Sequence, residues 1–298
     1  MKKLKKGDCI GIIAPAGFIK KGENLQEAIQ LLESWGFRVK LGKNVFKNHN
    51  HFAGTDAERL ADLQTFLEDK NIHAIWFARG GYGSIRIIDK IDFTIFKKKP
   101  KWIIGYSDFT VFHQAINNLG IETIHAFMPT SYTTFIEKNT AIENLRKTLF
   151  GEKLSYQITA NKHNKLGKTK GKIVGGNLAV MSSMLGTKYA LQTKNKILFM
   201  EDIGEYKYRI DRMLYSLKLN GYFKECSGLI VGSFTNIPKN NPNFGMSLEE
   251  LILDIIKEYN FPVCFNFPAG HISNNNALVF GRETELNVSK SGTTLLFK

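Results

Sequence analysis

The sequence predicts an α/β protein in which a mostly parallel sheet with helices on both faces is followed by a smaller, mixed α+β domain. Of its 298 residues, 43% are hydrophobic and 23% are charged, which are ordinary values for a folded chain of one or two domains. Apolar runs alternate with segments of helical period in the first half. Polar, lysine-rich sequence then interrupts the pattern, and it predicts a linker at 151–170 between domains 1–150 and 171–298.

Strands and helices alternate in the first domain. Thr55 and Glu58 have the spacing of a capping box, and Gly36 ends the preceding helical pattern. Apolar runs that end in loop residues predict strands at 8–14, 37–41, 74–78 and 102–105. The helices predicted between them are 24–35, 55–67, 84–89 and 108–118.

The second domain has a less regular pattern, and no repeat of fixed period is present. Its predicted strands are 197–200, 228–232, 278–280 and 293–297, and residues 173–177 precede its first helix. Its predicted helices begin at 178 and cover 208–219 and 248–258. This mixture is typical of an α+β unit rather than a second doubly wound sheet.

Functional groups in parallel sheets collect at the carboxyl ends of the strands. Three predicted loops occupy such positions, at 15–17, 79–83 and 106–108. We therefore expect a site where these loops meet.

The net charge of +14, from 41 basic and 27 acidic residues, favours an anionic partner. No nucleic-acid module accompanies the lysines, so a soluble basic surface is favoured over a nucleic-acid site, and a small acidic substrate fits the charge equally well. The three cysteines, Cys9, Cys226 and Cys264, lack metal-ligand spacing, and the glycine-rich loop lacks a dinucleotide or P-loop motif. We expect no metal and no cofactor. The short apolar run after the basic start is not a signal peptide, and no run is long enough for a membrane span, so we expect a cytoplasmic protein.

Ser107 stands between a predicted strand and a predicted helix, in Gly105-Tyr106-Ser107-Asp108-Phe109. An exposed serine on such a turn is typical of a nucleophile elbow, although Phe109 replaces the second glycine of that motif. An N-cap serine is the alternative interpretation.

The loop Arg79-Gly80-Gly81-Tyr82-Gly83 has two interpretations that are compatible. Its backbone N–H groups could approach a substrate closely, as oxyanion donors do, or its glycines could serve a tight turn with positive φ.

An acid and a histidine complete a candidate constellation. Glu201 and Asp202 end a predicted strand, with Glu205 further into the loop, and either could orient an imidazole or cap a helix. His271 lies in a polar, glycine-containing loop, where it is accessible and titrates near neutral pH, although any single histidine is more often structural than catalytic. The order serine, acid, histidine is that of many α/β hydrolases. The rival histidines are His113, His125 and His163.

Seven motifs in order resemble the LD-carboxypeptidase family of serine peptidases, which includes muramoyl-tetrapeptide carboxypeptidases and microcin-immunity peptidases. They extend from the first strand to the histidine loop. The motifs are Ile12-Ile13-Ala14-Pro15-Ala16-Gly17, the Arg79–Gly83 loop, Gly105–Asp108, Gly175-Gly176-Asn177-Leu178, Met200–Glu205, Tyr208–Arg212 and Gly270-His271.

The resemblance implies a catalytic triad of Ser107, Glu201 and His271, with the N–H groups of Gly81 and Asp108 as oxyanion hole. It also implies a flavodoxin-like N-terminal domain, a smaller C-terminal domain, a site in the cleft between them, and a homodimer. The implied substrate is murein tetrapeptide or a muropeptide, from which the terminal D-alanine is removed in peptidoglycan recycling. Arg79 is the candidate contact for the substrate carboxylate, or a brace of its own loop. Asn177 is a second candidate substrate contact.

Two other functions stay open from the sequence. The first is cleavage of a toxic aminoacyl-nucleotide by a peptidase of the same family. The second is a non-catalytic anion-binding protein on the same fold, because a fold does not fix a function.

Overall fold

The computed structural model describes residues 1–134 and 140–298, without the side chains of residues 133 and 134. In these residues the first half contains five strands and six helices, among which the four strands and four helices that we predicted occur in the predicted order. The strands are β1 (Cys9–Ile13), β2 (Arg38–Leu41), β3 (Ala74–Phe77), β4 (Trp102–Gly105) and β5 (Thr123–His125). The helices are α1 (Gln26–Ser34), α2 (Asp56–Glu68), α3 (Ser84–Ile87), α4 (Thr94–Lys98), α5 (Thr110–Asn118) and α6 (Thr140–Phe150).

The second half of the chain contributes three more helices and the remaining strands. The helices are α7 (Leu178–Ser183), α8 (Lys207–Leu219) and α9 (Leu248–Ile255). The strands are β6 (Ser155–Ile158), β7 (Gly167–Asn177), β8 (Lys196–Ile203), β9 (Gly228–Thr235), β10 (Val263–Cys264), β11 (Leu278–Phe280), β12 (Glu283–Ser289) and β13 (Gly292–Phe297).

The first sheet has the order β11-β5-β4-β3-β1-β2, in which all neighbours are parallel except β11 and β5. The parallel part has the flavodoxin-like order, so the predicted fold class is confirmed. Its topological switch point lies between β1 and β3, whose ends lead into the loops at 15–17 and 79–83. Ligands of such sheets bind at that point.

The second sheet is mixed, with the order β10-β9-β8-β7-β12-β13-β6. Strands β7 to β10 are parallel, whereas β12, β13 and β6 pair in antiparallel fashion. The mixed α+β character predicted for this half is confirmed.

The segment 151–170, which we expected to be a linker, differs from that expectation. It holds β6 and the start of β7, both hydrogen-bonded into the second sheet. Side chains do alternate along β7, but glycine and threonine occupy the inward positions between the exposed lysines Lys168, Lys170 and Lys172. An alternation without apolar residues does not resemble a strand.

One hydrophobic cluster spans both sheets, and each sheet also contributes to a further cluster. One cluster of buried side chains includes Ile12 and Trp76 of the first sheet together with Phe199 of the second. Strand β11, from the second half of the chain, pairs with β5 and so completes the first sheet. A Cβ atom on Gly176 would collide with the side chain of Thr110 at the start of α5, so glycine lets β7 approach this helix closely.

In the described part of the chain, no helix is both long and apolar enough to cross a membrane.

Candidate active site

Ser107 begins a short 3-10 helix, Ser107–Phe109, that follows β4 and continues into α5. Its φ of 63° is left-handed, a conformation that costs a non-glycine residue about 1–3 kcal/mol. The ring of Phe109 packs against Gly105, where an added Cβ atom would lie 2.9 Å from the ring. The tight turn therefore needs glycine two residues before the serine, and Phe109 fills the space beside it.

His271 joins Ser107 to Glu201 by hydrogen bonds. Its Nε2 atom lies 3.0 Å from Ser107 Oγ, and its Nδ1 atom lies 2.7 Å from Glu201 Oε2. The Glu201 side chain is fully buried at the end of β8, and the His271 side chain is 13% exposed. The structure thus brings together the three residues singled out from the sequence, from positions far apart in the chain.

The charge of Glu201 acts directly on the imidazole. Burial lowers the pKa of His271, but the negative charge of Glu201 and the hydrogen bond to it raise the pKa by more. The net effect is a pKa above the ordinary value for histidine. Since Glu201 Oε2 accepts a hydrogen bond from the Nδ1–H group, Nε2 of the neutral ring is free of a proton and can accept a hydrogen bond from the Ser107 hydroxyl.

Asp202, the neighbour of Glu201, is also buried. Burial, followed by the charge of Glu201, raises the pKa of Asp202 to about 6. Its carboxylate accepts hydrogen bonds of 2.9 Å from the side chain of Asn177 and from the N–H of Ala179.

Asn177 lies beside this acidic pair. It is buried at the N-cap of α7, where its side-chain oxygen accepts from the N–H of Val180. It is not among the residues lining the cavity at Ser107. Its hydrogen bond to Asp202 makes it a support of the acidic pair.

The backbone of the glycine loop lies close to the serine hydroxyl. An added Cβ atom on Gly80 would lie 3.1 Å from Ser107 Oγ, so the glycine loop passes directly over the serine. The Gly80 carbonyl accepts from the N–H of Gly17, which fixes the orientation of the peptide that carries the Gly81 N–H. Within the described residues, neither this N–H nor that of Asp108 donates to another part of the chain.

The Asp108 side chain serves a different purpose. It is buried and accepts a 2.8 Å hydrogen bond from the N–H of Ser84, and its burial raises its pKa. This bond ties the turn of Ser107 to α3, the helix that follows the glycine loop.

A cavity of about 440 Å³ opens above Ser107 and His271. Arg79 lines it and donates through Nη1 to the Phe18 carbonyl, at 3.0 Å, and to Glu23, at 2.9 Å. Arg79 therefore does brace its own loop. Both bonds use Nη1, so the N–H groups on Nε and Nη2 are not engaged by them.

Sequence reasoning missed Asn275, which fixes the loop that carries His271. The side-chain oxygen of Asn275 accepts from the N–H of Gly270, at 2.8 Å, and lies 3.2 Å from His125 Nε2. Asn275 is 1% exposed, and the ring of Tyr106 lies against both His125 and His271. The run of three asparagines after His271 was the available signal.

The other candidate histidines and Glu205 are not bonded to Ser107, His271 or Glu201. His113 is fully buried, stacks on His125 and bonds to Thr123, and Glu205 pairs with Arg209. His163 packs against Phe265, and among the described residues no cluster of metal-ligating side chains is present.

Two family models match this chain. The model of the LD-carboxypeptidase N-terminal domain matches residues 10–126, and that of the C-terminal domain matches residues 170–286. Together they include Ser107, Glu201 and His271.

Relatives named as carboxypeptidases align with nearly the whole chain. A probable murein peptide carboxypeptidase of Bacillus subtilis is 37% identical over 293 residues, covering 97% of this chain and 92% of that protein. The murein tetrapeptide carboxypeptidase of Pseudomonas aeruginosa is 28% identical, covering 93% of this chain and 92% of that protein.

Solved structures agree with the architecture. The muramoyltetrapeptide carboxypeptidase from Oxalobacter formigenes superposes with a TM-score of 0.88 at 28% identity, covering 97% of this chain and 98% of that one. The microcin C7 self immunity protein MccF, in complex with glutamyl sulfamoyl guanosine, also has a TM-score of 0.88, but at 20% identity. That match covers 99% of this chain and 97% of the other, and it shows a shared fold.

Proposed function

Because this chain belongs to the LD-carboxypeptidase family, we propose that it removes the terminal D-alanine from murein tetrapeptide through an acyl-enzyme on Ser107. The observation that carries the proposal is the hydrogen-bonded chain from Ser107 through His271 to the buried Glu201. This is the arrangement that activates a serine hydroxyl for attack on an amide.

In the acylation step, His271 Nε2 takes the proton of the Ser107 hydroxyl while Oγ attacks the carbonyl carbon before D-alanine. The electron pair of the carbonyl moves to its oxygen. When the tetrahedral intermediate collapses, the C–N bond breaks, and His271 returns the proton to the leaving amine of D-alanine. Glu201 holds the imidazole in the required tautomer and stabilises its protonated form.

In the deacylation step, His271 takes a proton from water, and the oxygen of that water attacks the acyl carbon. Collapse of the second intermediate breaks the bond to Ser107 Oγ and returns the proton to it. The products are a shortened peptide with a new carboxylate and the restored serine.

We assign the oxyanion hole to the N–H groups of Gly81 and Asp108. The fixed Gly80–Gly81 peptide and the position of Asp108 at a helix start support this assignment, because such N–H groups need no reorganisation during the reaction. One donor of this kind is worth about 3–4 kcal/mol in the transition state.

Arg79 is our candidate for the terminal carboxylate of the substrate. It lines the cavity at Ser107, and its hydrogen bond to Glu23 is made by Nη1 alone. The N–H groups on Nε and Nη2 are therefore available to a substrate carboxylate. The net charge of +14 would also attract a substrate that carries several carboxylates.

We further propose that the protein works in the cytoplasm in peptidoglycan recycling, as a homodimer. Its three cysteines are buried as free thiols, which suits a reducing compartment. The homodimer follows from the family resemblance, and light scattering of the purified protein tests it.

The deciding experiment measures D-alanine release from purified murein tetrapeptide by mass spectrometry, with wild type beside Ser107→Ala. We expect release by the wild type, and a loss of about 10⁴-fold or more in the variant. Full activity in the variant would contradict the role of Ser107. If neither protein releases D-alanine, hydrolysis of an aminoacyl sulfamoyl nucleotide tests the immunity-type function. Binding without turnover there would indicate an anion-binding protein.

A further inference from the structure

The buried carboxylate of Glu201 has fewer hydrogen bonds than an ionised group ordinarily needs. Its Oε2 atom accepts from His271 Nδ1, whereas its Oε1 atom is buried and has no hydrogen-bond partner among the described residues. An ionised carboxylate can accept about four hydrogen bonds, and burial of its charge without donors is costly. A further donor close to Glu201 would therefore stabilise the acid of the proposed triad.

Ser233 carries such a donor. Its Oγ atom is buried and, within the described part of the chain, has no hydrogen-bond partner. A Cβ atom added to Gly270 would lie 2.4 Å from Ser233 Oγ and 2.9 Å from Glu201 Oε2. The sum of these two distances, about 5.3 Å, is the largest separation that the two oxygen atoms can have, and one water molecule bridges a gap of that size.

An irregularity in the pairing of β8 and β9 places Ser233 beside Glu201. At this point the register shifts, so that Glu201 of β8 is opposed by two residues of β9, Gly232 and Ser233. An extra residue of this kind redirects side chains, and such bulges are common next to active sites. The N–H group of Ser233 donates to the carbonyl of Ala269, at 2.9 Å, in the loop that leads to His271. Ser233 is therefore tied to the loop of the base and lies opposite the acid.

We propose that Ser233 is a positioning residue of the triad, with its hydroxyl hydrogen-bonded to Glu201 Oε1 through a single buried water molecule, and the inference rests on the function proposed above. Buried waters ordinarily make about three hydrogen bonds. Asn275 Nδ2 is also buried without a partner among the described residues, and Asn275 Oδ1 accepts from the N–H of Gly270, so this amide is a third group for the water. The bridge fixes the plane of the Glu201 carboxylate against His271 Nδ1.

The bridge has a consequence for the base. A donor to Glu201 offsets part of its negative charge, so loss of that donor leaves more charge facing His271 and raises the pKa of His271. In the described part of the chain, the titratable and charged groups around His271 lie on other elements than β9. They are Glu201 and Asp202 of β8, His125 of β5, Tyr106 after β4 and Arg79 after β3. A substitution at Ser233 changes none of these side chains, so a change in the pKa of His271 reports the bridge.

The first test titrates His271 by NMR in wild type and in Ser233→Ala, and it needs no substrate. We expect the pKa of His271 to rise by roughly 0.5–1 pH unit in the variant, because a donor to a charged group is lost. Ser233→Cys keeps the size of the side chain but donates weakly, so it should show the same rise. Ser233→Thr keeps the hydroxyl and should stay at the wild-type value.

Kinetics on murein tetrapeptide gives the second readout. Ser233→Ala should lose about tenfold in kcat, and the acid limb of kcat/KM should move to higher pH together with the pKa of His271. Ser227→Ala is the matched control. Ser227 also has a buried hydroxyl without a partner among the described residues, but it directly precedes Gly228, where β9 begins, at the other end of that strand from Ser233. Its variant should match wild type in both measurements.

An unchanged or lowered pKa of His271 in Ser233→Ala would overturn the proposal, and so would an equal rise in Ser233→Thr or Ser227→Ala. A loss of kcat with an unmoved acid limb would also overturn it, since a loosened loop alone gives that result. If Ser233→Ala does not fold, as judged by circular dichroism, Ser233→Cys decides in its place. Because the NMR titration does not depend on turnover, it decides even if the wild type releases no D-alanine, an outcome that contradicts only the proposed function.

Discussion

The two halves of the molecule contribute to the site by different physical means. The N-terminal sheet supplies Ser107 and the N–H groups around it, and each of these depends on backbone conformation: a left-handed serine and a glycine loop laid over it. The C-terminal sheet and its loop supply Glu201 and His271, which depend on charge and burial. Substitutions in the first half should therefore act through geometry, and those in the second through protonation.

The largest expected effect is in the charged half. Glu201→Gln keeps the shape of the side chain but removes the negative charge that stabilises the protonated imidazole, so kcat for D-alanine release should fall about 10⁴-fold. Glu205→Gln is the control, since Glu205 lies in the same loop but pairs with Arg209, and it should stay near wild type. A Glu201→Gln variant whose kcat lies within tenfold of wild type would show that the charge of Glu201 is not what this half contributes.

The geometric half should respond to Gly81→Ala. Gly81 has a φ of 104°, which strains an added Cβ atom, and that atom would lie 3.3 Å from the Gly17 backbone. We therefore expect the peptide to rotate and its N–H to leave the proposed oxyanion position. We expect kcat to fall about 10²- to 10³-fold with KM little changed. Gly120→Ala is the control, because this glycine also has positive φ but nothing lies within 4 Å. If both variants lose activity equally, strain rather than the N–H position is responsible.

A smaller effect on kcat is expected at Asn275. This residue belongs to the C-terminal half, but it acts by holding the loop of His271 in position. Asn275→Ala removes the acceptor of the Gly270 N–H and of His125, which frees the loop of His271, and kcat should fall by about tenfold or more. Asn274→Ala is the comparison, since Asn274 bonds instead to Thr140 and Ala141. Steady-state kinetics with free tetrapeptide distinguishes the two, and a larger loss for Asn274→Ala would argue against the positioning role.

The smallest effect is a change in pH dependence. His271 must be neutral to act as a base, and its raised pKa places the acid limb of kcat/KM above the ordinary range for histidine. The charge of Asp202 contributes to this rise, so Asp202→Asn should lower the pKa of His271 and move the limb to lower pH. A pH–rate profile checks the direction, with thermal unfolding as the measure of fold integrity. An unchanged limb would show that Asp202 is neutral in the working enzyme.

Much of this arrangement could be predicted from local sequence. Buried strands that run into polar loops identified the ends of β3, β4 and β8, and Ser107 and Glu201 stand at two of them. The family resemblance then related these residues to His271. The strand ends could be predicted because each depends on neighbouring residues alone, whereas the assignment of His271 needed motifs along the whole chain.

The rest depends on pairing between distant segments. Strand β11 joins β5 across more than 150 positions, and β12 pairs with β7, whose lysine-rich start resembled a linker. Asn275 acquires its role only because His125 lies behind the loop in three dimensions. No local pattern encodes these contacts.

The late strand β11 has a consequence for biosynthesis. Until residues 278–280 leave the ribosome, β5 remains an open edge of the first sheet, a state that persists for roughly 8–30 s at ordinary elongation rates. His271 is translated only just before that strand. The nascent chain thus carries Ser107 long before His271, and on the proposed mechanism we expect activity only after the final strands have closed the molecule.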